Sequence, residues 1–471
     1  MKLWNFMKYK MLPAIFIEDK IEISYKQLAF YQSKLSQKIC SGHLMLHYGN
    51  TDFGGMIGYL ACIISGSVVA FVPQEENEND VCKKIQDYKP EYIWIAQEKL
   101  LYLPKHIKKN FYTIYVFAGY CLLKSVFKAE KIKKTDLTML LPTSGSTGNS
   151  KMVRISEKNI ISNTKSICTY LNLKEDDRAI ISLPLSYAYG ISVVNTLLYV
   201  GGSIVFTKSN MMQMSFWNLI KKINVTFFAG VPFSYECMKK IKVHEMDLSN
   251  LRILTQAGGK LGNQQHKFWG EYAAKNKKKF YVMYGQTEAT ARISYLPPEK
   301  NMDKIGSVGI PIPNSKIWIS DIDKQMILEP YKEGEIVCEG DNISLGYAEN
   351  RRDLELPNTN NGRLFTGDIG YFDEEGFLYI CGRKKRIAKI FGKRIDLSDM
   401  ERKVYSILAE ETVILTDDSQ IYIYTDAEVS DMQIKQILNY FPFSVNLIQF
   451  CKMAELPRKT TGKIDYCGLK K

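Results

Sequence analysis

The sequence predicts an α/β fold: a large N-terminal domain of parallel-rich sheets, a β-rich subdomain, and a small α+β C-terminal domain. Three observations predict it. Helix-period segments alternate with short β-branched runs through the first three-quarters of the chain, the pattern of parallel strands linked by covering helices. From about Ile305 to Ile380 the alternation gives way to short strands separated by Gly, Pro and Asp turns. At 471 residues the chain exceeds what one hydrophobic core sustains, so two or more domains are expected.

In chain order, Tyr25–Ile39 carries apolar residues at helical spacing. Gly54–Val72 is a run of nineteen residues without a charge, close to the length of a membrane span. Ser65-Gly66-Ser67 interrupts it. It therefore parses as a helix over Gly55–Ile64, a glycine stop and a buried strand Val68–Val72, and no membrane span is expected. Leu137–Leu141 reads as a strand. Strands follow at Gly202–Thr207, Thr226–Ala229, Leu251–Thr255 and Phe280–Met283, with a helix at Met214–Ile223. The charged stretch Gly382–Arg386 has the composition of a hinge. Beyond it Leu397–Leu408 and Asp431–Tyr440 read as helices, and Glu411–Leu415 and Gln420–Thr425 as strands. The expected domains are 1–383 and 384–471.

Composition narrows the class. Apolar content of 45% with 24% charged residues fits a globular chain and excludes a disordered or fibrous one. The net charge of +13 comes from scattered lysines, without a zinc-finger, RNP or helix-turn-helix pattern, so no nucleic-acid partner is expected. Ten cysteines lack CxxC pairs, which fits reduced thiols, and five histidines without an HExxH pattern give no support for zinc. The apolar run Met11–Ile17 is too short for a signal peptide, and a cytoplasmic location is expected.

Five short segments carry chemistry. Thr143-Ser144-Gly145-Ser146-Thr147-Gly148-Asn149-Ser150-Lys151 follows a strand with hydroxyls, two glycines and a lysine. Such a loop offers backbone N–H groups, OH donors and a positive charge to a polyphosphate, or is a flexible surface turn. It is not a Walker A loop, because the glycines are three apart and Met152 follows the lysine. The paired Gly258-Gly259 after a strand leave room for a flat group to lie against the backbone. Tyr284-Gly285-Gln286-Thr287-Glu288 joins an aromatic ring that can stack, a hydroxyl for a phosphate oxygen and a carboxylate suited to Mg²⁺. Phe365-Thr366-Gly367-Asp368 sets a carboxylate in a turn, suited to a ribose diol. Pro457-Arg458-Lys459-Thr460-Thr461-Gly462-Lys463 ends in a lysine on a loop. Each segment alone also reads as an ordinary turn, cap or solvated charge.

Their conjunction in this order resembles the ANL superfamily of adenylate-forming enzymes, which includes acyl-CoA synthetases and stand-alone adenylation domains. The resemblance spans nearly the whole chain. It extends to Ile23–Leu28, to Gly334-Glu335-Ile336-Val337 through Gly346-Tyr347, to Gly382-Arg383, and to Lys389–Asp396. The resemblance implies ATP and Mg²⁺ as cofactors. Thr143, Ser144, Ser146, Thr147 and Lys151 would hold the β- and γ-phosphates, with Gly145 and Gly148 counted in the same nucleotide-binding loop. Gly258, Gly259 and Tyr284 would enclose adenine, with Gly285 counted among the cofactor-binding residues. Thr287 would contact the α-phosphate, Glu288 would ligate the metal, and Asp368 would hold the ribose with Arg383 nearby. Lys463 would be the adenylation lysine. It further implies a mobile terminal domain that pivots at Lys385 and brings the loop of Gly392 to the acceptor.

Two positions depart from the family pattern: Ser150 stands where proline is usual, and Tyr187 where histidine is common. The acid pocket is expected to draw on Tyr187, Ala188, Tyr189, Phe228 and Ala229, with Val231 and Pro232 beside the Gly258–Gly259 turn. Relatives that activate α-amino acids place an aspartate near Ala188. No acidic residue occurs from Ser182 to Thr207, and a buried ammonium without a counter-ion is costly. The expected reaction is activation of a small or medium acyl, hydroxyacyl or aryl carboxylic acid to an acyl-adenylate. Transfer to coenzyme A or to a separate carrier protein would follow. An amino-acid-adenylating domain and a catalytically silent relative stay open as alternatives.

Overall fold

The computed structural model describes residues 4–18, 20–127, 130–133, 136–143, 151–384, 387–390, 393–416, 420–440, 447–459, 462–465 and 468–469. The chain divides into two compact units, Met1–Lys316 with Glu339–Leu364, and Ile317–Cys338 with Phe365–Lys471. The expected boundary at 383/384 falls inside the second unit.

Two sheets with helices between them make the first unit. At the centre of one sheet, Ser203–Phe206, Arg178–Ile180, Phe227–Gly230, Ile253–Gln256 and Lys279–Tyr284 run parallel. Pro13–Ile17 adds parallel to Ser203–Phe206, and Ser294–Tyr295 adds antiparallel to Lys279–Tyr284. The second sheet runs in the order Gly346–Ala348, Met152–Ser156, Leu137–Pro142, Val68–Phe71, Leu44–Tyr48, Tyr92–Ala96, Tyr120–Ser125, Phe111–Phe117.

Strand alternation shows why both faces of this second sheet are covered. Met45, Val69, Phe71 and Trp94 join one core, whereas Leu44, Leu46, Val68, Ala70, Ile93 and Ile95 join another. A strand buried on both faces reads as a continuous apolar run, as Val68–Phe71 does. The first core also takes in Tyr25 and Leu28, Met56 and Tyr59, Ile160 and Ile167, and Ala188 and Val194 from four helices. These helices are Tyr25–Ser36, Phe53–Ile64, Glu157–Leu171 and Ala188–Val200.

Local signals set the helix ends. Ser24 and Gln27 cap Tyr25–Ser36 reciprocally, and the helix stops three residues before the expected Ile39. Asp52 accepts from the Gly55 amide at 2.8 Å and starts Phe53–Ile64 within the long uncharged run. Among the described residues no helix is long and apolar enough to cross a membrane.

The second unit holds most of a sheet ordered Met326–Ile327, Ser315–Ser320, Gly334–Gly340, Arg363–Phe372, Leu378–Arg383. Its C-terminal part joins helices Leu397–Leu408 and Asp431–Leu438 to strands Thr412–Thr416, Ile421–Thr425 and Ile448–Lys452. Val404, Ile414, Ile421, Ile423 and Ile437 form its core.

Candidate active site

The hydroxyl-rich loop leaves the end of a tight hairpin. Leu137–Pro142 and Met152–Ser156 pair antiparallel up to Pro142 opposite Met152. The Thr143 hydroxyl donates to the Lys151 carbonyl at 3.3 Å, which closes the neck. Ser144, Gly145, Ser146, Thr147 and Gly148 lie outside the described residues. Lys151, half exposed, pairs its ammonium with the Glu349 carboxylate at 2.9 Å.

The Tyr284–Glu288 segment leaves the carboxyl end of the parallel strand Lys279–Tyr284, where open α/β sheets place ligands. Gly285 is required there: a Cβ would come 1.9 Å from the Ala291 carbonyl oxygen. Thr287–Ala289 forms a single 3₁₀ turn, followed by left-handed Thr290 (φ 53°) and by Ala291 (φ 107°). Strained non-glycine residues of this kind persist only where neighbours hold them. Asn342 does so, donating to the carbonyls of Ala289 at 3.1 Å and Arg292 at 3.0 Å, while the Thr290 hydroxyl donates to the Asn342 carbonyl at 2.8 Å. Tyr284 is buried, and Thr287 and Glu288 are half-buried. The Tyr347 hydroxyl donates to the Glu288 carboxylate at 2.8 Å. Burial first, and then the Glu288 charge, push the Tyr347 phenol well above its ordinary pKa, so it stays a donor.

Strand Gly346–Ala348 unites these two segments. It pairs with Met152–Ser156, Tyr347 reaches Glu288, and the next residue, Glu349, holds Lys151. Sequence reasoning named neither Tyr347 nor Glu349 as a site residue. Their signal was Gly346, whose φ of 113° and whose 2.1 Å from a built Cβ to the Thr359 hydroxyl demand glycine.

The Gly258–Gly259 turn meets the expected acid pocket. Gly258 has φ 89°, and a Cβ on it would lie 2.2 Å from the Tyr187 hydroxyl. Tyr187 precedes the helix Ala188–Val200 and is half-buried; burial pushes its phenol up to about 12. Tyr189 is buried, and its hydroxyl donates to the Thr255 carbonyl at 2.9 Å. Ala188, Tyr189 and Ala229 belong to one core with Tyr187 packed against it.

Phe228 does not join them. It lies on the other face of Phe227–Gly230, against Phe216, Trp217 and Tyr235, because adjacent strand residues point to opposite sides. In its place stands a residue the sequence reading did not single out. Arg292 is 2% exposed and sets its guanidinium 4.1 Å from the Tyr189 ring centroid.

In the second unit Asp368 is buried opposite Arg383 in the Arg363–Phe372 and Leu378–Arg383 pair, and accepts from Arg383 Nε at 2.8 Å. Gly367 (φ 73°) gives its amide to Glu335 at 3.1 Å, and Glu335 also pairs with Lys384 at 2.9 Å. The backbone closes a turn from Lys459 N to Lys463 O at 2.8 Å, with Gly462 at φ 74° and Arg458 paired with Glu411. Lys463 is half-buried at its end. Lys385 and Gly392 lie outside the described residues.

A glycine turn and a Thr-Glu turn thus stand at the carboxyl ends of parallel strands, where open α/β sheets place ligands. The model of the AMP-binding enzyme family matches residues 121–348. The probable 4-coumarate–CoA ligase 2 of Dictyostelium discoideum is 30% identical over 360 residues, 72% of this chain and 63% of the relative. The chain thus spans less than two-thirds of that protein's length. The 2-succinylbenzoate–CoA ligase of Bacillus pumilus is 28% identical over 349 residues, 70% of this chain and 68% of the relative.

The fold matches the O-succinylbenzoate coenzyme A synthetase of Bacillus subtilis. In complex with AMP the match has TM-score 0.78 and 21% identity, over 99% of this chain and 98% of that one. In complex with ATP and magnesium ion it has TM-score 0.75 and 21% identity, over 98% and 97%. Residues 121–348 thus match the AMP-binding enzyme family, and the chain is similar over most of its length to CoA ligases of the adenylate-forming kind.

Proposed function

We propose that this protein is an acid–thiol ligase: it activates a carboxylic acid with ATP to an acyl-adenylate and then passes the acyl group to a thiol. The observation that carries the reading is strand Gly346–Ala348, which ties the lysine of the hydroxyl-rich loop and the carboxylate of the Thr-Glu turn to one edge. A cation beside hydroxyls and a carboxylate beside them is what a metal–polyphosphate needs. The relatives' names, 4-coumarate–CoA and 2-succinylbenzoate–CoA ligase, support a carboxylic acid substrate and favour coenzyme A over a separate carrier protein as the acceptor.

Glu288 fits a Mg²⁺ ion, which takes one or two protein carboxylates and completes its shell with phosphate oxygens and water. When bound, that ion would neutralise charge on the phosphate oxygens. The chain's own residues do the rest in this reading. Thr143, Lys151 and the loop between them bind the β- and γ-phosphates, Thr287 the α-phosphate, and Gly258, Gly259, Tyr284 and Gly285 the base. Asp368, oriented by Arg383, accepts from the ribose hydroxyls. The acid's carboxylate oxygen attacks the α-phosphorus, and the bond to the β-phosphate oxygen breaks with loss of pyrophosphate. Lys463 stabilises charge that develops on the phosphate and carboxylate oxygens at that moment. In the second half the thiol sulfur adds to the acyl carbonyl, and AMP leaves with the electron pair of the C–O bond.

Pyrophosphate release over a panel of carboxylic acids, with adenylates trapped by hydroxylamine, tests this. Acid-dependent pyrophosphate and a hydroxamate are expected. Formation of ADP, or no product with any acid, would overturn it.

A further inference from the structure

Arg292 is a charge in the wrong place for a merely structural residue. It is 2% exposed, yet among the described residues no carboxylate pairs with it. Its Nε is buried and makes no hydrogen bond; the rest of the guanidinium has only neutral partners, the neighbouring Ala291 carbonyl at 3.3 Å from Nη1 and the Tyr170 hydroxyl. What surrounds the guanidinium is aromatic. It lies over Tyr189, and its charge acts on the hydroxyls of Tyr170 and Tyr187. A cation–π contact recovers only part of the cost of removing a guanidinium from water, and a buried charge is otherwise paired.

The backbone that carries it is also held in place. The Arg292 carbonyl accepts from Asn163 at 3.3 Å and Asn342 at 3.0 Å, and the preceding Ala291 holds a φ of 107°. The aromatic residues it sits among include Tyr187, whose hydroxyl packs on Gly258, and Tyr189 behind it. The buried cation therefore adjoins the wall of the acid pocket, four residues after Glu288.

Given the acid activation proposed above, on which this rests, we infer that Arg292 is the specificity-determining residue for the far end of the acid. The substrate carries, besides the reacting carboxylate, a second carboxylate or an equivalent oxyanion that completes the guanidinium's hydrogen bonds. Arginine suits this role because its planar fork matches a carboxylate bidentately. An α-amino acid has the wrong sign for the site, since its ammonium would meet the like charge of Arg292, and the segment Ser182–Thr207 beside it supplies no acidic counter-ion.

The experiment compares matched acids, hexanoate with adipate and benzoate with isophthalate, in the pyrophosphate-release assay with wild type, Arg292→Met and Arg292→Lys. Wild type is expected to use a diacid at least about tenfold better than its monoacid partner, in kcat/KM. Arg292→Met should raise the diacid KM by about 100-fold, the scale of stranding a buried charge, and abolish the preference for the diacid over its monoacid partner. Arg292→Lys should recover part of the loss. Melting temperature and ATP binding of each variant report folding. If both variants fail to fold, the wild-type diacid preference still decides.

Equal use of monoacid and diacid by wild type would overturn the inference while leaving acid activation intact. So would an Arg292→Met variant that loses kcat for both alike. Absence of pyrophosphate with every acid would instead overturn the activity on which the inference rests, and the inference with it.

Discussion

Single residues here are constrained by backbone as much as by side-chain chemistry. At Gly258 two penalties meet: left-handed φ of 89°, and a Cβ 2.2 Å from the Tyr187 hydroxyl. Gly258→Ala should therefore raise the acid KM about tenfold or more and lower stability by roughly 1–3 kcal/mol. Adding Tyr187→Phe removes the hydroxyl and should restore part of the loss. Strict additivity in that double-mutant cycle would show that the contact does not matter.

His47 makes a second residue-scale case, far from the chemistry. Burial lowers its imidazole from 6.5 to about 4, with Nε2 against the Gly55 carbonyl at 2.7 Å. The unfolded chain then binds the proton first, so this stability is complete above about pH 6.5. It is lost as pH falls toward 4, at up to about 1.4 kcal/mol per unit. His47→Gln should flatten that part of the wild-type curve of melting temperature against pH; an unchanged slope would refute the assignment. Neither His47 nor Arg292 was legible beforehand, because a lone histidine or arginine among apolar residues has the same sequence signature exposed or buried.

At the scale of elements, the short strand Gly346–Ala348 and the residue after it act on two charged groups at once. Tyr347→Phe removes a donor to Glu288. The Mg²⁺ concentration for half-maximal rate should rise roughly tenfold, as for other residues that orient a ligand. Stability should change by less than about 1.5 kcal/mol. Glu349→Gln should act in the opposite direction, releasing Lys151 for phosphate and lowering the ATP KM by about threefold or less, since the pair is half exposed. A rise in ATP KM in Glu349→Gln would mean that the glutamate positions the lysine rather than competing for it.

Legibility from sequence also divides at this scale. Tyr25–Ser36, Phe53–Ile64 and the strands leading to Gly258 and Tyr284 could be read, because their apolar periodicity faces a core and glycines or caps mark their ends. Gly346–Ala348 could not be read as a functional strand. At three residues it carries no period, and its role comes from pairing with Met152–Ser156 almost two hundred positions away. Phe228, expected at the pocket beside Ala229, lies on the opposite face of its strand because the pleat turns adjacent residues to opposite sides.

Across the whole molecule, the residues proposed to act fall in both units of the chain. Thr143, Lys151, Gly258, Gly259, Tyr284, Thr287 and Glu288 belong to the first, and Asp368, Arg383 and Lys463 to the second. The half-reactions should therefore separate by mutation. Lys463→Ala should cut ATP–pyrophosphate exchange by about 10²–10³-fold, the usual scale for one preorganised donor, with ATP affinity nearly unchanged. Exchange at the wild-type rate would remove Lys463 from the chemistry.

Lys385→Pro asks something different of the same molecule. The position lies in a charged run between Asp368 and Lys463 in the sequence and is the proposed pivot between the two half-reactions, a role that requires a change in φ and ψ over a few residues. Proline fixes φ near −65° and removes the amide donor, so it freezes that freedom without deleting any proposed ligand of ATP. Pyrophosphate exchange should persist within about threefold while thioester formation from a pre-formed adenylate falls by at least about tenfold. Equal loss of both would make position 385 structural, and loss of neither would mean that the second half-reaction needs no pivot there.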